Sequence, residues 1–379
     1  MVREEFISLL EESVGPERAG IVLKALREEP SVSVRLNPSK LRQCPFPGAE
    51  PVPWSPWSYY LKERPIFTLD PLFHAGCYYV QESSAMMVGH VFRQVLEGME
   101  PGISVMDLCA APGGKTTDLA ASLRERFGSS FTLLANEVMR NRYAVLRDNV
   151  RIWADDRIGT VSRDPSSFGS QPVFDIVLAD VPCSGEGMFR KDPTAVEDWT
   201  PQLPEFCAAR TKRILSAIWP TLREGGILIY STCTFNHFEN ADTVRWIEDS
   251  LGADVLPLSD MAPAVPLGDG YAMLPGLVPG EGQYVAALRK HGDGICSGNP
   301  FLLFKAEVPA ADVPSYPPVE VDRETALHYL HGDALKLPSD APAGLVTICF
   351  EGQALGPAKN IGSRCNNLYP KSNRIKMNI

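Results

Sequence analysis

Apolar residues along this chain follow two patterns: short continuous runs, and longer stretches in which they recur at helical spacing. From about residue 75 the runs and the helical stretches largely alternate, which predicts strands and helices in turn. This order favours an α/β fold, with a doubly wound and mostly parallel sheet covered by helices on both faces. The predicted strands are 103–110, 131–138, 157–164, 174–183 and 225–235, with a late antiparallel strand at 282–290, and the predicted helices are 83–96, 116–127, 139–153, 204–222 and 239–251.

The first 74 residues follow a different pattern and predict a small α+β unit. Apolar residues recur at helical spacing over residues 5–28. In SVSVRLNP, residues 31–38, they alternate with polar residues, which is typical of a half-buried strand. The proline-rich segment 44–60 indicates irregular or extended chain.

Glycine and proline are concentrated between about residues 291 and 320, where we expect a linker. The segment after it has a helical pattern near 323–330 and a strand-like run at 344–352, which predicts a third, β-rich unit. A chain of 379 residues is long enough for two or three separate cores. The predicted divisions are residues 1–74, 75–290, 291–320 and 321–379.

Composition narrows the class of protein. No run approaches the roughly 20 apolar residues that cross a bilayer, and the acidic start MVREEF does not resemble a secretory signal. We therefore expect a cytoplasmic protein with no membrane partner. The nine cysteines show no paired CxxC spacing, so we expect free thiols and no metal.

The net charge and the distribution of charge along the chain point to different conclusions about a nucleic-acid partner. The net charge of −10 argues mildly against nucleic acid, because phosphate contacts need lysine and arginine. Residues 354–379, however, contain five basic residues and no acid. A basic end on an acidic chain is a candidate footprint for RNA.

The segment DLCAAPGGKTTDLA, residues 107–120, joins a predicted strand to a predicted helix. Ligands of open α/β sheets bind at such turns, Gly113 and Gly114 allow the backbone to come close, and the helix start offers free N–H groups. A phosphate loop needs a glycine where Cys109 and Ala110 lie, and the GxGxxG of a dinucleotide site is absent. S-adenosylmethionine has no pyrophosphate and needs fewer glycines, so it is the favoured cofactor.

Three acids end three successive predicted strands. Glu137 is placed to accept both ribose hydroxyls of such a cofactor, Asp164 to reach its adenine amino group, and Asp180 to lie nearest the reacting groups. The alternative for each acid is a helix N-cap or a solvated strand end. Their common position favours the cofactor site.

Two cysteines also end strands: Cys183 follows the fourth predicted strand and Cys233 the fifth. Neighbouring parallel strands end at the same edge, so we expect both thiols to face the cofactor cleft. Carbon 5 of cytosine becomes nucleophilic enough for methylation when a thiolate adds to carbon 6, and Asp180 is placed to protonate nitrogen 3 if it carries a proton. Either cysteine alone would be read as a small core residue; the pair favours thiol chemistry and leaves open which thiol attacks.

Four segments resemble, in the right order, the motifs of the Sun/nucleolar-protein (NOL/NOP/Sun) family of RNA cytosine-5 methyltransferases: YYVQESSAM, DLCAAPGGKTTDLA, ADVPCSGEGMFRKDP and YSTCTFNHFENADTV. The resemblance covers roughly residues 75–290. It implies a class I methyltransferase fold, Cys233 of the TC motif as nucleophile, and Cys183 of the PC motif as the residue that assists product release. The cofactor residues that it implies are Cys109, Ala110, Ala111, Pro112, Gly113, Gly114, Lys115, Glu137, Asp164 and Asp180.

Both ends of the chain extend this resemblance. SVSVRLNPSK is similar to the leading domain of bacterial RsmF-like enzymes, and residues 344–377 resemble their PUA-like RNA-binding module. Those enzymes act on small-subunit ribosomal RNA, so we expect 16S ribosomal RNA or the small subunit as partner, with a monomer as the active form. The RNA contacts that we predict are Arg190, Lys191, Lys359, Arg364, Lys371 and Arg374. Phe189 or Phe235 is a candidate to stack on a flipped base, with core packing as the alternative.

Three alternatives stay open. An amino-group methyltransferase of the same fold would carry a [DN]PP[YF]-like segment where this chain has DVPC. A catalytically silent RNA-binding factor would be favoured by the loss of a cysteine or of the loop lysine, and all are present. A tRNA cytosine-5 methyltransferase would use the same chemistry.

Overall fold

A computed structural model of the chain describes residues 2–309 and 316–379. Residues 310–315 of the predicted linker therefore lie outside the described residues. The helices are α1 (Glu4–Val14), α2 (Pro16–Ala25), α3 (Pro71–His74), α4 (Met87–Leu96), α5 (Gly114–Phe127), α6 (Arg140–Trp153), α7 (Pro193–Asp198), α8 (Leu203–Ile218), α9 (Ala241–Ile247), α10 (Pro300–Phe304) and α11 (Arg323–His331).

The strands form three sheets. They are β1 (Val32–Leu36), β2 (Glu50–Pro51), β3 (Ser58–Leu61), β4 (Tyr78–Val80), β5 (Ile103–Asp107), β6 (Phe131–Asn136), β7 (Ile158–Val161), β8 (Phe174–Asp180), β9 (Leu222–Thr232), β10 (Ala253–Val255), β11 (Val265–Leu267), β12 (Gly270–Met273), β13 (Gln283–Lys290), β14 (Pro318–Glu320), β15 (Gly344–Phe350), β16 (Gln353–Asn360) and β17 (Cys365–Asn367).

The central sheet has nine strands in the order β11-β12-β13-β9-β8-β5-β6-β7, with β10 paired to β13. Strands β9, β8, β5, β6 and β7 are parallel, and β13 runs antiparallel beside β9. The predicted doubly wound, mostly parallel sheet is confirmed. Its middle strands are continuous apolar runs because helices cover both faces. The hairpin β11–β12, which extends the sheet beyond β13, was not predicted.

The direction of winding reverses at β5, which pairs with β6 on one side and β8 on the other. In open α/β sheets a crevice forms outside the carboxyl ends of the strands at such a reversal. The loops that follow β5, β6, β8 and β9 therefore meet at one edge, and they carry the acids and thiols singled out in the sequence.

The N-terminal sheet has the order β2-β3-β1-β4. Strand β4 belongs to it through its pairing with β1, so this unit extends past the boundary predicted at residue 74. The prediction that β1 is half-buried is wrong, because Ser33 and Arg35 are buried as fully as Val34 and Leu36. One face of β1 contributes to a core shared with the C-terminal unit, and the other lies against the central domain.

Arg35 joins the N-terminal sheet to helix α5. Its side chain is fully buried and stacks over the Trp153 ring at 4.8 Å. Its guanidinium donates to Gln81 Oε1 at 2.8 Å, to the Gly114 carbonyl at 3.0 Å and to the Thr117 hydroxyl. The helix that follows the cofactor loop is thus braced from the N-terminal unit.

The predicted linker 291–320 is partly structured. Helix α10 packs on the central domain, where Phe304 stacks on Phe174 with ring centroids 6.0 Å apart. Strand β14 pairs in parallel with β15, so the C-terminal sheet, in the order β14-β15-β16-β17, begins before residue 321. Across the described residues, no helix is both long and apolar enough to cross a membrane.

Candidate active site

The loop between β5 and α5 needs both of its glycines. Gly113 has a φ of 109°, in the left-handed region, where it donates its N–H to the Ala110 carbonyl at 2.7 Å. A Cβ on Gly114 would lie 3.1 Å from the Tyr79 ring. The loop therefore stays close to the edge of the sheet, and the first turn of α5 opens toward the crevice.

Asp107, the last residue of β5, is a buried acid at the bottom of this crevice that the sequence analysis did not select. Its Oδ2 accepts a hydrogen bond from the Thr116 hydroxyl at 2.6 Å, while Oδ1 is buried without a partner among the described residues. Burial raises the pKa of Asp107 to about 7, although the Thr116 hydrogen bond lowers it. An acid that closes a buried strand was the signal available in the sequence.

Glu137 directly follows β6 and is 2% exposed. Its Oε1 accepts the Met139 N–H at 2.9 Å. Its Oε2 makes no hydrogen bond with any described residue and lies 3.4 Å from the Arg142 guanidinium. The next two side chains, Val138 and Met139, are 48% and 53% exposed. A free acceptor beside exposed apolar side chains fits a ribose hydroxyl next to the face of an adenine ring.

Asp164 lies at the rim of the site. It caps the short turn Pro165–Phe168 by accepting from the Ser166 N–H at 3.0 Å and the Ser166 hydroxyl at 2.7 Å. The Ser166 hydroxyl and N–H hold the pKa of Asp164 below its usual value. The helix-cap alternative is thus realised at this residue, and the adenine contact stays a prediction.

Asp180 and Lys115 form the charged centre of the site. The Lys115 ammonium lies 2.8 Å from Asp180 Oδ2, and Asp180 Oδ1 accepts from Ser231 at 2.7 Å and Gln283 at 3.2 Å. Burial alone would lower the pKa of Lys115, but Asp180 outweighs it and the pKa is raised. Three donors thus fix the orientation of the Asp180 side chain, and its role toward nitrogen 3 of a base stays a prediction.

The two thiols predicted to share the cleft are in contact. Cys183 Sγ and Cys233 Sγ are 3.3 Å apart, and both residues are half-buried. The hydrogen bond with Cys233, together with burial, raises the pKa of Cys183 well above its usual value. Cys183 therefore keeps its proton and can donate it to a thiolate at Cys233, which also lies in the field of the Lys115 ammonium.

A buried polar network that the sequence analysis missed holds the two cysteine loops together. Glu186 accepts the Phe235 N–H at 2.7 Å and the Trp199 indole N–H at 3.2 Å. Glu239 accepts the Ser184 N–H at 2.9 Å. The Asn236 amide donates at 2.9 Å to Glu186 and at 2.8 Å to Glu239, and so bridges the two acids. Burial raises the pKa of Glu239 to about 7 against these hydrogen bonds.

The aromatic side chains proposed to stack on a base are packed in the core. Phe189 is 7% exposed and its ring centroid lies 5.0 Å from that of Phe6. Phe235 is 1% exposed. The core-packing alternative is therefore correct for both residues, because the loops that carry them fold back under the crevice.

Arg190 is a structural residue, so the predicted RNA contact at this position is not supported. Its guanidinium donates to the Glu28 and Gly280 carbonyls and lies 3.9 Å from the Glu281 carboxylate, and its side chain is 7% exposed. Lys191, 33% exposed and 3.6 Å from Glu281, stays accessible. The sequence could not reveal this, because Glu28 lies 162 residues away along the chain.

The other predicted RNA contacts lie on the C-terminal unit. Lys359, Arg364 and Lys371 are exposed. Arg374 is half-buried, because it packs against Gly332 and donates to the Tyr369 carbonyl at 3.4 Å. Within residues 2–309 and 316–379, no group of three metal-ligating side chains is arranged to hold an ion.

Known proteins resemble the chain over all three units. Residues 94–289 match the family model described as 16S rRNA methyltransferase RsmB/F, which spans slightly more than half of the chain. Residues 2–83 match the N-terminal domain of 16S rRNA methyltransferase RsmF, and residues 316–375 match the methyltransferase RsmF PUA domain.

Two curated relatives carry the name ribosomal RNA small subunit methyltransferase F. The protein from Cronobacter sakazakii is 37% identical over 254 residues, which are 63% of this chain and 51% of the relative. The protein from Escherichia coli O6:H1 is 35% identical over 254 residues, which are again 63% of this chain and 51% of the relative. The chain thus spans about half the length of the curated relatives it matches.

Solved structures support the fold. A methyltransferase homolog protein from Pyrococcus horikoshii superposes with a TM-score of 0.61 at 27% identity, covering 75% of this chain and 94% of that one. NSun6 from Pyrococcus horikoshii, solved with SFG, gives a TM-score of 0.64 at 18% identity, covering 77% of this chain and 99% of that one. The chain therefore has the class I methyltransferase fold with N-terminal and PUA-like C-terminal domains.

Proposed function

Because the chain belongs to the RsmB/F family of 16S rRNA methyltransferases, we propose that it methylates carbon 5 of a cytosine in small-subunit ribosomal RNA. S-adenosylmethionine is the proposed methyl donor. The proposed enzyme acts in the cytoplasm as a monomer, without a metal.

The observation that carries this proposal is the contact between Cys183 and Cys233, 3.3 Å apart at the ends of two neighbouring strands. Methylation of an exocyclic amino group needs no thiol. Methylation of carbon 5 needs a nucleophile that adds to carbon 6 and leaves it again after methyl transfer. Two thiols in contact, one of them held protonated, supply a nucleophilic sulfur and a hydrogen-bond donor beside it for both the attack and the release.

The residues around the cofactor crevice support S-adenosylmethionine. When bound, this cofactor supplies an electrophilic methyl group on a sulfonium. Glu137 Oε2 and Asp107 Oδ1 are buried acceptors without hydrogen-bond partners among the described residues. They suit the ribose hydroxyls and the amino-acid end of the cofactor, and the loop from Cys109 to Lys115 would hold its middle.

In the proposed reaction the Cys233 thiolate forms a bond to carbon 6 of the cytosine. Lys115 stabilises this thiolate by its charge, and Cys183 stabilises it by donating a hydrogen bond. Carbon 5 then takes the methyl group. A water molecule takes the proton from carbon 5, the electron pair of that C–H bond re-forms the double bond to carbon 6, and the bond between carbon 6 and Cys233 breaks to return the Cys233 thiolate. Cys183 would assist this last step, because its sulfur is in contact with the leaving sulfur.

Cys233→Ala tests the nucleophile. Methyl transfer from labelled S-adenosylmethionine to small-subunit RNA should fall below detection, because no thiolate can add to carbon 6. Cofactor binding, measured by calorimetry, should stay within about twofold, because the loop from Cys109 to Lys115 is unchanged. Cys44→Ala, which removes a half-buried thiol in the N-terminal unit, is the matched control and should keep wild-type activity. Wild-type turnover by Cys233→Ala would refute the assignment.

Cys183→Ala tests the release step. Attack by Cys233 should still occur while release slows, so a covalent RNA–protein adduct should accumulate and appear as a shifted band on a denaturing gel. The adduct should be absent from the double variant with Cys233→Ala. A Cys183→Ala protein that turns over without adduct would contradict the release role.

Bisulfite sequencing of total RNA, with and without the gene, identifies the substrate. A 5-methylcytosine that disappears from 16S ribosomal RNA supports the proposal. A site lost from tRNA instead would move the substrate to tRNA and leave the thiol chemistry unchanged.

A further inference from the structure

A cleft of about 250 Å³ lies where the three units meet. The N-terminal unit contributes Lys40 and His74 to its wall, helix α6 contributes Arg151, and the C-terminal unit contributes Tyr369 and Asn373. No aspartate or glutamate lines it. In a chain with a net charge of −10, a cleft whose charged lining residues are all basic stands out as a site for an anion.

The two cations of this cleft have no carboxylate partner. The Arg151 guanidinium makes neither a hydrogen bond nor an ion pair with any residue of the described chain. The Lys40 ammonium donates to the Ala75 carbonyl at 2.7 Å and the Ile152 carbonyl at 2.6 Å. Its third N–H has no partner within residues 2–309 and 316–379. Burial lowers the pKa of Lys40 to about 8, and the nearby Cys77 thiol offsets only part of this effect.

Two neutral donors complete the wall. Burial raises the pKa of Tyr369, and the nearby Arg151 guanidinium partly counters this rise, so the two side chains are neighbours. The Tyr369 hydroxyl makes no hydrogen bond in the described part of the chain. The Asn373 amide accepts from Ser372 through its oxygen, which leaves its N–H groups for a ligand. Tetrahedral oxyanions take several such donors at once.

We infer that this three-unit cleft binds a phosphate of the RNA backbone, with Arg151 as the principal contact. The inference rests on the proposed function, in which RNA is the substrate. It adds a second position at which the protein holds the RNA. Arg151 lies near the end of α6, roughly 17 Å along the helix axis from Arg140 at the crevice edge. The bound phosphate therefore belongs to a nucleotide distant from the target cytosine, and it fixes the register of the RNA without reading its sequence.

Arg151→Gln is the variant that tests the inference. It removes one positive charge but no side-chain hydrogen bond or ion pair within residues 2–309 and 316–379, so the unfolding midpoint should stay close to the wild-type value. Affinity for a small-subunit RNA fragment, measured without cofactor, should fall about tenfold. The dependence of log affinity on log salt should become shallower by roughly one, because one phosphate contact is lost.

Arg245→Gln is the matched control. Arg245 is 61% exposed on α9 and lies outside the cleft, so its removal changes the net charge equally but should leave the salt dependence unchanged. Tyr369→Phe keeps the ring that packs on Tyr329 and removes only the hydroxyl. It should weaken binding about twofold to threefold.

The outcomes separate the possible failures. Equal RNA binding and equal salt dependence for Arg151→Gln and wild type would overturn the cleft while leaving methylation, and so the proposed function, intact. Equal losses for Arg151→Gln and Arg245→Gln would show a general charge effect and also overturn it. Stabilisation of wild type by inorganic phosphate, lost in Arg151→Gln while RNA binding is unchanged, would assign the cleft to a free anion instead. A wild-type protein that neither binds nor methylates RNA would refute the proposed function itself.

Discussion

Two pairs of buried acids flank the crevice, and they differ in how completely their oxygens are paired. In the pair beneath the cysteine loops, Glu186 and Glu239, every carboxylate oxygen accepts at least one hydrogen bond. In the pair under the cofactor crevice, Asp107 and Glu137, one oxygen of each makes no hydrogen bond among the described residues. Both pairs are almost wholly inaccessible to solvent.

This difference separates structural acids from acids that await a ligand. An unpaired buried acceptor costs roughly 1–3 kcal/mol, and a ligand bound in the crevice would offset this cost for Asp107 and Glu137. The paired acids instead fix the two loops that follow β8 and β9. The comparison therefore predicts that the first pair governs stability and thiol geometry, whereas the second pair governs cofactor affinity.

Replacing Glu186 should have the largest effect. Glu186→Gln puts an amide nitrogen against the Asn236 side chain or the Phe235 N–H, both of which are donors. The free energy of unfolding should fall by about 2–4 kcal/mol, and methyl transfer should fall at least about a hundredfold because the thiols move apart. Urea unfolding and a methyl-transfer assay measure the two effects. Glu205→Gln, an exposed acid on α8, is the control, and equal stability of the two variants would break the comparison.

Asp107→Asn should show the opposite signature. It removes an acceptor that no described residue uses, so the free energy of unfolding should change by less than about 1 kcal/mol near neutral pH. Cofactor affinity should fall about tenfold, because one buried hydrogen bond to the cofactor is lost. Calorimetric titration with S-adenosylmethionine measures this, with Asp148→Asn on the exposed face of α6 as control. A stability loss as large as that of Glu186→Gln would contradict the division of roles.

The pH dependence of stability should sharpen the same contrast. The pKa of Asp107 is raised to about 7 in the folded protein, whereas that of an unfolded aspartate is near 4. Its contribution to stability is therefore fully present below pH about 4 and is lost as the pH rises toward about 7. The Asp107→Asn variant has no carboxyl group to ionise at this position. Its free energy of unfolding relative to wild type should therefore increase as the pH rises from about 4 to about 7. Unfolding midpoints measured from pH 5 to 8 test this, and a constant difference would count against a buried, protonated Asp107.

Asp164→Ala should have the smallest effect. The side chain caps one short turn at the surface, so its loss should cost about 0.5–1 kcal/mol of stability. If Asp164 reaches the adenine amino group, cofactor affinity should fall severalfold as well. An unchanged dissociation constant for S-adenosylmethionine would assign Asp164 to the cap alone.

The sequence predicted the parts of the site that depend on local pattern and on strand order. Apolar runs located β5, β6, β8 and β9, and because parallel strands end at one edge, a shared cleft for Cys183 and Cys233 followed; their direct contact was not predicted. The attacking role of Cys233 did not follow from the pattern and came from the family motifs. It stays a prediction, as do the roles of the cofactor residues.

What the sequence could not predict depends on partners far away along the chain. Arg190 follows a catalytic motif and looks like an RNA contact, but carbonyls of the N-terminal unit occupy its guanidinium. Asn236 has no local signal, because its role requires Glu186, which lies 50 residues earlier. The predicted linker contains helix α10, which the sequence did not predict. Glycine and proline content indicates a flexible segment, but it does not show that Phe304 packs on Phe174.

The buried Arg35 limits which leading domain could be joined to the central domain of this chain. Arg35 lies 4.0 Å from Asp118, and its guanidinium also holds the Gly114 carbonyl behind the cofactor loop. A chimera that grafts the catalytic domain onto another leading domain would retain Asp118 in the interior with only Arg93, 3.4 Å away, to neutralise it. A leading domain grafted onto this chain therefore has to supply an arginine at the position of Arg35. The N-terminal unit is thus a structural part of the central domain's interior and not a separable attachment.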